Sequence, residues 1–214
     1  MCGRFELNIS KEKMIQKFGI DNWQLDHYKP SFNVPPSTSI PIINQVGDKR
    51  VIRSVNWGLI PSWAKDRKIS YKMFNARSES LADKPSFRNA YKYRRCLIPA
   101  SGYYEWRKLD AKNKQPYWIG RKDKEPLLIA GLFEDWTNPE TDELIESCTV
   151  ITCDSYPELR HIHARMPVIL PIEYSQYWLN AKQDDFPTTD MKELDFSQIS
   201  KEVGSPTNDY SFHL

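Results

Sequence analysis

Between Ser10 and Gly19, Met14, Ile15 and Phe18 recur at helical spacing on one face, with lysine and glutamate on the other. This pattern predicts a short helix capped by Ser10 and stopped at Gly19. Beyond it the period changes to that of strands. Residues 40–44 and 50–57 flank Val46-Gly47-Asp48, which reads as a hairpin. Further extended runs fall at residues 95–99, 103–107, 117–120, 127–133, 148–152 and 167–170, with helical patches near 78–81, 86–91 and 172–179. Residues 199–208 read as a terminal extended segment packing back on the sheet. Many short strands with few helices predict an α+β fold, mainly antiparallel, with a barrel-like curled β-sheet and a few flanking helices. The alternating strand-helix rhythm of a doubly wound fold is missing. Fifteen prolines, among them Pro35, Pro36, Pro61 and Pro99, fix turns between the strands, so loops can hold side chains in defined positions.

Composition narrows this picture. At 214 residues, with no shift of composition or linker, the chain reads as a single domain over residues 1–214. Seven Trp, eleven Tyr and nine Phe argue against disorder, and 27% charged residues fit a water-facing surface. No apolar run is long enough to cross a membrane, and charged residues from Glu6 to Lys13 interrupt any signal-peptide pattern, so a cytoplasmic location is expected. Cys96 and Cys148 fall in apolar runs and read as core residues. No paired CxxC suggests zinc or a disulfide framework, and no metal or cofactor is expected. The formal charge of +2 leaves the partner undecided.

The candidate chemistry begins at Met1-Cys2-Gly3-Arg4-Phe5. Removal of Met1 would make Cys2 a terminal 1,2-aminothiol, whose amine and thiol can attack one electrophilic carbon in succession. Reference pKa values of about 8 and about 8.5 leave part of each nucleophilic at neutral pH, and a cation such as Arg4 would raise the thiolate share. An ordinary frayed terminus is the plain alternative. Asn75 can cap a following helix, whereas Arg77 at a helix start is unexplained and would suit a phosphate or carboxylate. Glu105 lies among Tyr103, Tyr104 and Trp106, surroundings that raise a carboxyl pKa and fit proton transfer; an exposed pairing with Arg107 or Lys108 is the alternative. His163, beside Arg165 and Pro167, is a natural proton shuttle, with His161 as a surface residue nearby. Trp57 to Trp63 is an aromatic turn followed by Lys65, Arg67 and Lys68, suited to stacked bases and phosphates, or else to a core tryptophan beside a solvated loop. Asn33-Val34-Pro35-Pro36 is a turn that could line the same opening.

Cys2-Gly3-Arg4-Phe5, Trp57-Gly58-Leu59-Ile60-Pro61, Asn75-Ala76-Arg77-Ser78-Glu79, Arg95-Cys96-Leu97-Ile98-Pro99, Gly102-Tyr103-Tyr104-Glu105-Trp106, Ala130-Gly131-Leu132-Phe133 and His163-Ala164-Arg165-Met166-Pro167 together closely resemble the SRAP family, the SOS-response-associated peptidases understood as abasic-site processing proteins. The resemblance runs in order over almost the whole chain. It implies that the Cys2 amine captures the aldehyde of an abasic site in single-stranded DNA, that the thiol closes a thiazolidine crosslink, and that the protein is a monomer. It further implies that His163 helps open the sugar, that Glu105 shuttles protons and that Asn75 orients the terminus or the sugar. Arg4, Arg77 and Arg165 would meet phosphates, and Trp57, Trp63 and Trp106 would support or stack near the strand. Cys153 and Asp154 depart from the small or neutral residues expected there and put local DNA contacts in doubt.

Two other readings compete. An N-terminal-nucleophile amidohydrolase or peptidase would use Cys2 on an amide, and that fold needs sheets stacked between helical layers. A non-catalytic reader would bind modified nucleic acid reversibly and lose affinity with salt.

Overall fold

The computed structural model describes residues 2–181 and 188–214; Met1 lies outside the described residues. Along the chain run β1 (Phe5–Leu7), α1 (Lys11–Phe18), β2 (Asn22–Gln24), β3 (Ser31–Val34), β4 (Ser39–Val46), β5 (Lys49–Trp57), β6 (Asn75–Arg77), α2 (Arg88–Tyr93), β7 (Arg95–Ala100), β8 (Gly102–Lys108), β9 (Lys114–Arg121), β10 (Leu127–Thr137), β11 (Leu144–Asp154), β12 (Arg165–Pro167), β13 (Ile169–Leu170), α3 (Ser175–Leu179) and β14 (Leu194–Gln198). The strands divide between a five-stranded sheet, β14-β9-β8-β1-β3, and a nine-stranded sheet with the path β12-β11-β10-β7-β4-β5-β2. In the second sheet β13 pairs with β10 and β6 with β11. Most pairings are antiparallel; β2 with β5, and β11 with β5 and with β6, are parallel. The expected α+β, mainly antiparallel fold with few helices is what forms.

Local chemistry explains the elements that were foreseen. The Ser10 hydroxyl accepts the Lys13 N–H at the start of α1, and Gly19 ends it with φ +60°, a left-handed conformation that costs glycine little. Met14 and Phe18 turn the apolar face inward. Val46 pairs with Lys49, so Gly47-Asp48 is a two-residue hairpin turn.

Two expectations fail. Residues 199–208 do pack back on the sheet, through Ile199 and Val203 against Tyr104 and Trp118, but not as an extended segment: the final strand is β14, and Lys201–Gly204 forms a 3-10 turn because the Ser200 side chain accepts the Glu202 N–H. Asn75 caps no helix: it lies in β6, and the 3-10 turn at Ser78–Ser80 has no side-chain cap.

The main core lies between the sheets and contains Cys2, Phe5, Trp57, Cys96, Tyr103 and Cys148. A second cluster, Tyr104, Trp118, Ile199, Val203 and Phe212, is built from β8, β9 and the carboxy-terminal arm, residues 199–214, with Phe32 and Trp106 packed against it. Trp118 explains a motif glycine. A Cβ at Gly102 would stand 2.3 Å from Trp118 Nε1, and that ring cannot drift because it donates to Glu6 Oε2 at 2.7 Å. Gly102→Ala is therefore expected to cost about 1–3 kcal/mol, the usual price of overpacking. Urea unfolding would test this, and an unchanged midpoint would mean that Trp118 has room to move.

Candidate active site

Cys2 precedes β1 and is fully buried. Strand β1 pairs with β8 so that Phe5 faces Tyr103, and the Tyr104 N–H donates to the Arg4 carbonyl at 2.9 Å. Continuing this antiparallel register brings the residues before Phe5 alongside Glu105. From the other sheet, Asn75 reaches across and donates through Nδ2 to the Cys2 carbonyl at 2.7 Å. Its parallel pairing to β11, with Val150 opposite, holds Asn75 there. Asn75 Oδ1 is buried and has no hydrogen-bond partner among the described residues. A buried acceptor left unpaired costs free energy, so Asn75 Oδ1 is set to accept a hydrogen bond beside Cys2.

His163 stands just before β12, its Nδ1 3.9 Å from Glu105 Oε1. That Nδ1 also lies 3.0 Å from the Arg165 backbone nitrogen and 3.1 Å from the Arg165 carbonyl oxygen, so the backbone of Arg165 fixes the orientation of the ring. The four residues assigned to chemistry from the sequence thus meet at one place, although they come from separate parts of the chain.

Burial governs the electrostatics. The Glu105 side chain is nearly inaccessible, and desolvation raises its pKa, with the charge of His163 acting in the opposite direction. The Cys2 thiol is also pushed well up, first by burial and then by the negative charge of Glu105. This corrects the expectation that Arg4 enriches the thiolate. The thiol points instead to the Arg4 carbonyl, Sγ to O 3.9 Å, while the Arg4 guanidinium donates to Asn33 Oδ1 at 2.7 Å and to the Val203 carbonyl at 3.1 Å.

Tyr103, buried opposite Phe5, borders this place and was not singled out from the sequence. Its buried phenol has a pKa raised first by burial and then by the charges of Cys2 and Glu105. The signal was available: Tyr103 and Glu105 are two apart on one strand and face the same way.

The residues assigned to DNA contacts fare unevenly. Arg77 is exposed at the end of β6, two residues from Asn75. Trp63 is 57% exposed and donates to the Pro85 carbonyl at 3.3 Å. Trp106 is half-buried against the second cluster. Trp57 has no exposed surface; it packs 5.0 Å from Phe5 and donates to the Phe74 carbonyl, so it supports the wall and cannot stack on a base. Arg165 is engaged by Glu79 at 2.6 Å, by Asp154 at 2.7 Å and by the Thr152 carbonyl at 2.6 Å. The unexpected Asp154 thus neutralises a cation that was assigned to phosphate. His161 bonds the Glu158 carbonyl and packs on Phe196, a surface role.

Volume is a poor guide here. Two cavities of about 520 Å³, one lined by Tyr28, Asn33 and Pro35 and the other by Glu6, Trp118 and His213, touch none of Cys2, Asn75, Glu105 and His163. The Asn33-Val34-Pro35 turn therefore opens elsewhere. Among the described residues no three His, Cys, Asp or Glu side chains gather as a metal site, and no helix is long and apolar enough to cross a membrane.

Comparison with known proteins finds relatives over most of the chain. The family described as SOS response associated peptidase (SRAP) matches residues 1–206. The abasic site processing protein YoqW of Bacillus subtilis is 43% identical over 97% of this chain and 96% of its own length. The abasic site processing protein HMCES of Xenopus tropicalis is 34% identical over 81% of this chain and 61% of its own. A crystal structure of a protein from Bacteroides thetaiotaomicron superimposes with a TM-score of 0.86 at 28% identity, covering 97% of both chains. With the family matched over residues 1–206 and a relative this similar over nearly the full length, the chain belongs to the SRAP family.

Proposed function

We propose that this protein processes abasic sites in single-stranded DNA by forming a covalent thiazolidine crosslink through Cys2. The observation that carries the reading is the convergence of Asn75, Glu105 and His163 on the residue that becomes the amino terminus once Met1 is removed. Relatives named as abasic site processing proteins support it.

The Cys2 amine adds to the C1′ aldehyde of the ring-opened sugar, and the carbinolamine loses water to give an imine. The thiol then adds across that bond: sulfur joins the carbon, the S–H proton ends on nitrogen, and no group leaves. Because burial holds the thiol protonated, the proton has to move as the C–S bond forms. Glu105, ionised yet poorly solvated, takes it and returns it to nitrogen. Protonated, the same carboxyl supplies the proton that expels water. His163 donates a proton to the ring oxygen as the sugar opens, and Asn75 Oδ1 accepts from the amine or the sugar. Arg77 and Trp63, both exposed, contact the phosphate and base of the single strand.

The amidohydrolase reading lacks its scaffold, since the three α-helices among the described residues span only eight, six and five residues and form no layers. Intact mass after incubation with an abasic oligonucleotide tests the proposal. The expected species is protein without Met1 plus oligonucleotide, less one water. Protein that has lost Met1 and stays unmodified in excess abasic DNA would end it.

A further inference from the structure

Cys2 and Gly3 lie outside any strand, and a terminus next to glycine frays unless it is held. Asn75 fixes the Cys2 carbonyl from one side. On the other side the Arg4 carbonyl receives both the Cys2 thiol and the Tyr104 N–H, so the placement of Arg4 sets the direction of the sulfur.

What places Arg4 is Asn33, buried at 3% exposure. Its Oδ1 accepts the Arg4 guanidinium, while its Nδ2 donates to the carbonyls of Ser205 at 2.9 Å, Asn208 at 2.6 Å and, more weakly, Val203 at 3.4 Å. The arm closes the circuit twice. Val203 accepts from Arg4 itself, and Asp209 accepts the Phe32 N–H and the Ser31 hydroxyl on the strand that carries Asn33. Each of these bonds spans 170 residues of sequence or more, except Arg4 to Asn33, which spans 29, so none is a by-product of local folding.

We propose that Asn33 is a positioning residue for Cys2, acting through Arg4, and that the arm of residues 199–214 is the second jaw of this clamp. The inference rests on the crosslinking function proposed above. Arg4 then serves the nucleophile and not a phosphate.

Asn33→Ala removes both halves of the clamp, whereas Asn33→Asp keeps the acceptor for Arg4 and loses the donors to the arm. In single-turnover capture of an abasic oligonucleotide, Asn33→Ala is expected to slow adduct formation about a hundredfold, the scale of an ångström of misplacement. Its affinity for the same oligonucleotide without the abasic site should stay within about twofold, because no DNA-contacting group is touched. Asn33→Asp should recover capture to within about tenfold of wild type, since a charge-assisted bond to Arg4 remains. The Tyr104 amide, which reports the Arg4 carbonyl directly, should exchange at least about tenfold faster in Asn33→Ala. Capture by Asn33→Ala at the wild-type rate, or folded Asn33→Asp as slow as Asn33→Ala, would refute the clamp. If wild-type protein forms no adduct, the functional reading fails by itself; the clamp then stands or falls on Tyr104 exchange, and unchanged exchange refutes it.

Discussion

Cys2→Ala protein is expected to form no adduct that survives denaturation with an abasic oligonucleotide, a loss of roughly a thousandfold or more in captured fraction, as is usual when a nucleophile is removed. The variant still presents a terminal amine after Met1 is trimmed. It should therefore make the imine and stop there. An imine is an electron sink: it acidifies the adjacent carbon and allows β-elimination of the 3′ phosphate. Cys2→Ala is thus expected to nick the DNA faster than wild type while failing to hold it. Ring closure by sulfur removes that sink, which gives the two groups of Cys2 separate duties, capture by the amine and protection by the thiol. A denaturing gel reads both outcomes, since the adduct migrates slowly and the nicked strand quickly. A heat-stable adduct at wild-type yield in Cys2→Ala would mean that another side chain bonds the sugar. Absence of both adduct and nicking would mean that the amine is not the capturing group.

The residues proposed for the chemistry stood out in the sequence because each sits in a short motif whose residue types have a chemical use, and because seven such motifs run in order. Glu105 shows how far local reading goes: its pKa is raised as read, but Tyr104 and Trp106 pack in the second cluster on the other face of β8, and of the flanking aromatics only Tyr103 shares its side. Arg4 and Arg165 show where it stops. Each guanidinium has a partner that no local motif announces, Asn33 for Arg4 and Glu79 for Arg165, 29 and 86 residues away. Trp57 misled for a related reason, since a conspicuous aromatic turn does not reveal which ring faces inward. The strands β1, β3 and β6 have three or four residues each, too few for an alternation to register. They exist because neighbouring strands supply their ladders, and they carry Arg4's neighbour Phe5, Asn33 and Asn75 to the site. The helix at Ser10 and the hairpin at Gly47, whose signals are local, came out as read.

Glu105→Gln is expected to make the protein more stable at neutral pH and much less active. Desolvation raises the Glu105 pKa in the folded protein above its ordinary value of 4.5, so the folded state binds that proton more tightly than the unfolded chain does. Stability therefore falls as pH rises from about 4.5 through the folded value, because the unfolded state releases the proton first. Above that window the ionised carboxylate is a standing cost, and neutral glutamine of the same shape relieves it. The melting temperature of Glu105→Gln should exceed wild type near pH 7, and the gap should close towards about pH 4, where both side chains are neutral. Over the same range adduct formation should drop by about a hundredfold to ten-thousandfold, the contribution of a positioned acid-base group. The opposite signs follow from one cause, a carboxylate kept in a place that suits proton transfer and disfavours charge. Melting curves from about pH 4 to 8, set beside single-turnover rates, decide the matter. Equal stability at every pH would show that the folded state compensates the charge, and a rate within tenfold of wild type would take Glu105 out of the proton path.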